Sequence, residues 1–483
     1  MNRREALHDI VVVGGGIVAL TAAIAFARAL PRATVSLVAT KADPAALADR
    51  LPAVTPAVAE MFETLGLDEA ALVAGGVATH RLGERFAWGE PAFTVGEGDG
   101  VANLAGAPPH QLWRAHGEGA FETLVPAAVL AQAERFAPPA EDRASLLSSL
   151  NYTLRLDPEA LTPALLAAMR AARVRLIAPT SLSVERQAGQ TIALLVDGGT
   201  RLTADLFIDA SGPAALLAAE DAAWVDWRAT LPVDRLLLAA AAARPSPLDR
   251  YEAGSHGWGA RWPLARRTLV GFAYARETTN DARAAKELPG PAERIALHPR
   301  RQVAPFAGTV LAIGDAAAAL GPLGWPGYTL ALAQLELALS LMPARTPEPL
   351  LIAEYNRRAT LRAERLHAYA AAFYLAGTAR RGSFWHAARK AEPPAELATA
   401  LAQFGQRGTL PPVEEEMVAP AQWWQALIGL GVSPQRRDPV ALSVPRVSAI
   451  AAMTQLRTAI AALPAQLPPY PAWLAQAGGA RSR

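Results

Sequence analysis

The chain has 483 residues, roughly three domains' worth at about 150 residues per domain. A hydrophobic fraction of 52% with 19% charged residues excludes global disorder. The balance of 46 Lys+Arg against 44 Asp+Glu, with no basic block, argues against nucleic acid as the main partner. Cysteine is absent, which excludes a disulfide scaffold, thiol catalysis and Cys-ligated metal, and suits a reducing cytoplasm.

Residues 10–13 (Ile-Val-Val-Val) read as a buried strand, Gly14 to Gly16 as a turn, residues 17–30 as an alanine-rich helix and 33–38 as a second strand. The apolar run after Arg3 and Arg4 resembles a signal peptide, but three glycines and Arg28 favour the strand–turn–helix reading. No other stretch approaches ~18 uninterrupted apolar residues, so no membrane span is expected. Residues 43–75 read as helical, 80–125 as irregular, and 138–142 as a surface loop. A helix is expected over 159–172, strands over 174–177, 182–185 and 205–209, and a turn at Gly198-Gly199. Sheet segments over 233–243 and 268–274 flank an expected loop that holds Trp258 and Trp262. A short strand over 309–313 precedes a helix over 327–342, and the chain beyond Pro343 reads as mostly helical with frayed final residues 478–483.

Gly14-x-Gly16-x-x-Ala19, between a strand and a helix, is a dinucleotide fingerprint. Gly14 permits the tight turn and Gly16 lets a pyrophosphate approach the helix terminus. Ala19 allows the helix to lie close to the strand. The acid expected at the end of the second strand is missing, and Thr40 or Asp43 stands nearby instead. Two later patches favour FAD over a nicotinamide: Asp209-Ala-Ser-Gly212, and Gly314-Asp315 at a strand end, where a carboxylate can accept from ribityl hydroxyls. An N-cap role is the plainer reading of Asp315 alone.

These patches belong to a longer series: Tyr152 to Asp157, Leu231-Pro-x-Asp234-Arg235, Glu354-Tyr-Asn-Arg-Arg358, Ser383-Phe-Trp385, and Gly429-Leu-Gly-Val-Ser-Pro434 leading to Asp438-Pro439. In this order the chain resembles the flavin-dependent tryptophan halogenase family along nearly its whole length. The resemblance implies an α/β fold, with a Rossmann-like, doubly wound FAD module, an inserted sheet and a mostly helical substrate and C-terminal region. The module is expected to be discontinuous, over about 1–45, 150–215 and 300–345, with substrate-region insertions at 46–149 and 216–299 and a helical region from 346 to 483. It also implies FAD, reduced by a separate reductase, and an aromatic substrate. In the family, reduced FAD and oxygen turn halide into hypohalous acid, which reaches a lysine beside the substrate.

The residues at the family's chemical positions differ. Arg81 stands at the lysine position, in His80-Arg81-Leu82-Gly83-Glu84-Arg85-Phe86-Ala87-Trp88, and none of the three lysines (Lys41, Lys286, Lys390) is near in sequence. Arginine stays protonated and is a poor nucleophile. The family's Trp-x-Trp-x-Ile-Pro barrier reads Trp258-Gly-Ala260-Arg-Trp262-Pro263, for which ordinary core packing is an equal reading. The halide segment reads Gly321-Pro-Leu-Gly-Trp325-Pro326-Gly327, with both carboxylates gone and only the Gly327 N–H left to offer. The strap that covers the flavin corresponds to Ala48-Asp49-Arg50-Leu51-Pro52.

Three functions follow from the resemblance. The first is an FAD-dependent oxidoreductase that oxidises an aromatic or apolar small molecule with reduced FAD and oxygen. The second is a divergent halogenase with another relay, in which His80 or Glu84 handles protons. The third is a non-catalytic flavin-binding or interaction protein. The expected partners are a small aromatic substrate, a flavin reductase met transiently and, in a homodimer, a second copy. No metal cluster is expected, Glu414 to Glu416 read as a solvated loop, and Trp423-Trp424 read as C-terminal core.

Overall fold

A computed structural model describes residues 5–98, 100–140, 145–377 and 380–479. Part of the expected loop at 138–142 and most of the expected frayed terminus lie outside these residues. The chain forms two compact units. The first takes Met1–Leu72, Leu156–Arg228 and Ile295–Leu366, and the second takes Val73–Arg155, Ala229–Arg294 and His367–Arg483.

The first unit is built on β1 (Asp9–Gly14), α1 (Ile17–Ala29) and β2 (Thr34–Ala39). Ile10 to Val13 are all buried, as a parallel strand covered on both faces requires. β1 pairs in parallel with β2 (Val13 opposite Val38) and with Leu206–Asp209 (Val13 opposite Asp209). The sheet runs 306–307, 310–312, 206–209, β1, β2, 175–177, and only the 306–307 strand is antiparallel to its neighbour. Gly14 and Ala19 hold α1 against the sheet. A Cβ on Gly14 would stand 2.3 Å from the Ala210 carbonyl oxygen and 2.7 Å from the Ala19 Cβ. The Pro158–Ala171 helix, capped by Asp157, packs on α1 and buries Leu161, Leu165 and Met169 at helical spacing. An antiparallel ribbon (182–187, 190–196, 200–202) turns at 197–199 as expected.

The expected helix over 43–75 is broken into short pieces: α2 (Leu47–Arg50), a strand at Ala53–Val54, and helices Ala59–Glu63 and Glu69–Ala74. Pro44, Pro52, Pro56 and Gly66 interrupt it, each removing an amide or favouring a turn.

The second unit corrects the sequence reading more strongly. Residues 80–125 are not irregular: strands Ala78–Arg81, Gly83–Ala87 and Phe93–Gly96 lie there, with a Pro109–His116 helix. Trp258 and Trp262 are not on a loop but on the strand Gly257–Pro263. That strand lies between Leu248–Gly254 and Thr268–Tyr274, and the sheet continues to Gly83–Ala87 and Phe93–Gly96. Glycine misled the reading because here it marks close approach inside a sheet. A Cβ on Gly271 would meet the Trp262 ring at 2.7 Å, and one on Gly257 the Ala273 carbonyl oxygen at 2.2 Å. The helices beyond 383 were expected. Among the described residues, Arg446–Gln466 alone is long and apolar enough to cross a membrane. Its Ala449, Met453, Leu456 and Ile460 join a buried core with Leu112 and Phe121.

The contact at Gly14 is testable. Gly14→Ala should cost at least about 2 kcal/mol in urea unfolding, because backbone cannot yield as a flexible side chain does. Gly199→Ala, with no heavy atom within 4 Å of its Cβ position, should stay within about 0.5 kcal/mol.

Candidate flavin cradle and substrate-side cluster

The first unit brings the dinucleotide residues together. Gly16 is the residue before α1, in extended conformation, so the first amides of that helix point out at the carboxyl edge of the sheet. The Gly314 N–H donates to Gln334 (2.7 Å), and its φ of 60° is one a glycine adopts without strain. The Asp315 carboxylate is buried beside it. Gly327 lies in the first turn of the Pro326–Ser340 helix. The Thr40 N–H donates to the Gly14 carbonyl, fixing the end of β2 on the turn. Asp209 serves its own turn: its carboxylate accepts from the Ser211 N–H and hydroxyl and from the Leu217 N–H (2.8 Å).

This frame has the donors of a dinucleotide site, but residues 43–50 lie in it. An Asp49 carboxylate oxygen accepts the Val18 N–H at 2.8 Å, inside the first turn of α1. A Cβ on Gly16 would stand 2.1 Å from that carboxyl group. The Ala48 N–H donates to Asp315 at 2.7 Å. Ala48 also covers Gly327, and Ala46 covers Gly212, each about 3 Å from where a Cβ would be. The space left between Ala45, Leu47, Pro213, His298, Asp315 and Gly321 is about 70 Å³, far below the several hundred Å³ of a ligand site. The residues therefore fit a flavin in their donors and not in the room they leave. Burial pushes the Asp49 carboxyl up to about 6 and the Asp315 carboxyl up to about 8, helped by repulsion from Asp43 at both and from Asp49 at Asp315. Asp49 was named in the sequence only as part of a strap. Its one signal is a carboxylate where a helix terminus would otherwise receive phosphate.

The halide segment is closed as well. Trp325 is buried and holds a left-handed φ of 57° directly before Pro326. That conformation costs a bulky residue about 1–3 kcal/mol.

In the second unit, Arg81 and Glu84 come together, but with no lysine-like freedom. Arg81 is 3% exposed. It donates through Nε to Glu97 (2.8 Å) and through Nη1 to Glu84 (3.3 Å) and Asp249 (3.4 Å). Arg155 holds the other Asp249 oxygen at 2.5 Å. Burial disfavours the Arg81 charge, and the three carboxylates outweigh it, raising its pKa above the ordinary arginine value. Two guanidinium groups thus face three carboxyl groups, and burial pushes Glu84 up to about 7. The Tyr251 hydroxyl donates to Glu84 and accepts the Trp262 N–H. His80 points elsewhere: its ring stacks on Phe136 at 4.2 Å and Nδ1 lies 3.2 Å from the Tyr470 hydroxyl. Trp258, Trp262 and Pro263 are buried, and the Pro263 carbonyl accepts from Thr79. Trp423 is buried against Tyr369, and Trp424 stacks on His110. A cavity of about 520 Å³ in this unit is lined by Trp88, Phe93, Trp113, Phe121, Arg380 and Leu430 among others. That volume is within the about 300–1,000 Å³ of small-molecule sites.

The raised pKa of Glu84 has a sign. The folded state keeps its proton to about pH 7, while the unfolded chain loses it near 4.5, so stability falls as pH rises between these values. Thermal melting at pH 5 and pH 8 should show a larger drop in wild type than in Glu84→Gln, which carries no titrating group there. Equal drops would contradict the burial of a shared proton in this cluster.

The tryptophan halogenase family model matches residues 9–446. The structure is similar to BrvH, a flavin-dependent halogenase from Brevundimonas, at 25% identity over 98% of this chain and 99% of that one, with a TM-score of 0.89. A flavin-dependent halogenase from Xanthomonas campestris matches at 25% identity over 98% of each chain, with a TM-score of 0.89. A tryptophan 6-halogenase from Streptomyces toxytricini shares the fold at 21% identity over 99% of this chain and all of that one, with a TM-score of 0.87. The family's members take flavin, and its fold carries the Rossmann-like FAD module. A match that runs through both units, from β1 to the start of the 446–466 helix, makes this chain a member of the tryptophan halogenase family.

Proposed function

We propose that the chain is an FAD-dependent oxidoreductase that inserts oxygen into an aromatic or apolar small molecule and does not use a lysine relay. One observation carries this reading: the residue at the family's lysine position is Arg81, fixed by Glu84, Glu97 and Asp249 in a buried ion cluster. A guanidinium so paired has no free electron pair to take up a halogen, and moving it would take the cation away from Glu84 and Glu97 and leave Asp249 with Arg155 alone. The closed halide segment around Trp325 and Pro326 supports the same conclusion.

FAD supplies oxygen activation when reduced by a separate reductase. With residues 43–50 out of the cradle, Gly14, Gly16, Gly314 and Asp315 would hold the flavin, which would supply the two electrons that reduce one oxygen atom to water as the other enters the substrate. The chain's own residues bind and exclude water. The aromatic walls of the 520 Å³ cavity suit a planar ring, and Arg380, which lines it and caps the carbonyls of Phe373 and Ala376, adds positive charge. A second reading, a non-catalytic relative that binds flavin only weakly, is favoured by Asp49 at the terminus of α1.

Incubation with FAD, a flavin reductase, oxygen, bromide and a panel of indoles and phenols separates these readings. The expected outcome is a product heavier by one oxygen atom and no brominated product. Arg81→Lys should not restore bromination, and it should lower the melting temperature. Bromination by wild type would overturn the proposal, and the absence of any product would favour the second reading.

A further inference from the structure

We propose that residues 43–50 are a built-in competitor for the flavin, with the Asp49 carboxylate holding the pyrophosphate subsite on α1, so that FAD enters only when this segment swings out. The inference rests on the flavin reading above.

Three contacts place the segment where the cofactor's parts would lie. The Asp49 carboxylate stands at the first turn of α1, against Gly16 and on the Val18 N–H. This is the position that favours an anion, because unpaired amides and the helix dipole converge there. A pyrophosphate and a carboxylate cannot share it, since their charges repel at contact distance. The Ala48 N–H takes the Asp315 carboxylate, which would otherwise accept from a ribityl hydroxyl. Ala46 and Ala48 fill the room that Gly212 and Gly327 leave by having no side chain.

The segment has little secondary structure of its own. Its helix has four residues and no side-chain cap, and Pro44 and Pro52 bracket it. Closing it buries Asp315 and half-buries Asp49, with Asp43 near both. Burying carboxyl groups that repel one another works against the closed form. A flavin pyrophosphate carries more negative charge than one carboxylate and can replace it on the same amides. Opening therefore exchanges one anion for another at α1 and exposes Asp49 to water.

The test is a titration of wild type, Asp49→Ala and Asp49→Asn with FAD, followed by flavin fluorescence, and with ADP, followed by calorimetry. ADP carries the pyrophosphate without the isoalloxazine ring. Asp49→Ala should lower the Kd of both ligands at least tenfold. Asp49→Asn, which keeps the shape and an acceptor for Val18, should shift it in the same direction by less, and guards against misfolding of the alanine variant. Kd values within twofold of wild type, weaker binding by both variants, or no binding of ADP by any of the three proteins would overturn the proposal. If ADP gains affinity and FAD binds none of them, the competitor stands and the flavin reading falls.

Discussion

The first turn of α1 sets the constraint on which the first unit turns. A parallel sheet followed by Gly14 to Gly16 delivers a helix whose leading amides have no partner within the helix. Something with negative charge must meet them. In this structure that group is Asp49, from the chain itself. The placement of α2, the hydrogen bond between Ala48 and Asp315, and the small residual cavity all follow from that one choice. Glycine is needed at position 16 for either anion, because each must come within about 3 Å of the backbone. The motif is therefore compatible with two states, and only the residue that reaches it tells them apart.

A similar exchange of one charged group for another governs the second unit. A buried lysine can lose its proton and act as a nucleophile, whereas an arginine stays charged and takes up a fork of hydrogen bonds. Arg81 has done the latter, and the buried pairs with Glu84, Glu97 and Asp249 bind strands 78–81, 83–87 and 248–254 into one piece. Arg155 on Asp249 completes the cluster. Breaking such a cluster from one side is costly, so this position now contributes to stability. The proposed function rests on this loss of freedom, with the aromatic cavity in the same unit as the space it proposes for the substrate.

Much of the first unit was legible because its signals are local. Ile10 to Val13, the three glycines and the alanine-rich helix lie within twenty residues, and their periodicity is enough to place them. Asp315 at a strand end was legible for the same reason. The second unit was not, because its strands are short and held by partners far away in sequence. Gly83–Ala87 pairs with Leu248–Gly254, across more than 150 residues. Gly257 fell in the expected loop and proved to be a seat for neighbouring backbone, while Gly271, in an expected sheet segment, is a seat for the Trp262 ring. The role of Arg81 was half visible: the resemblance put an arginine at the lysine position, but only the fold showed which carboxylates it holds. Asp49 was invisible as a ligand of α1, since nothing in an eight-residue stretch says which residue folds back onto a helix terminus.

Hydrogen–deuterium exchange with and without ADP tests most directly whether α1 can trade one anion for another. The account predicts that saturating ADP raises exchange across residues 43–50 and protects residues 14–18. Saturation with ADP that leaves residues 43–50 as protected as in the free protein would contradict it, because the nucleotide would then sit beside a segment that never left the cradle.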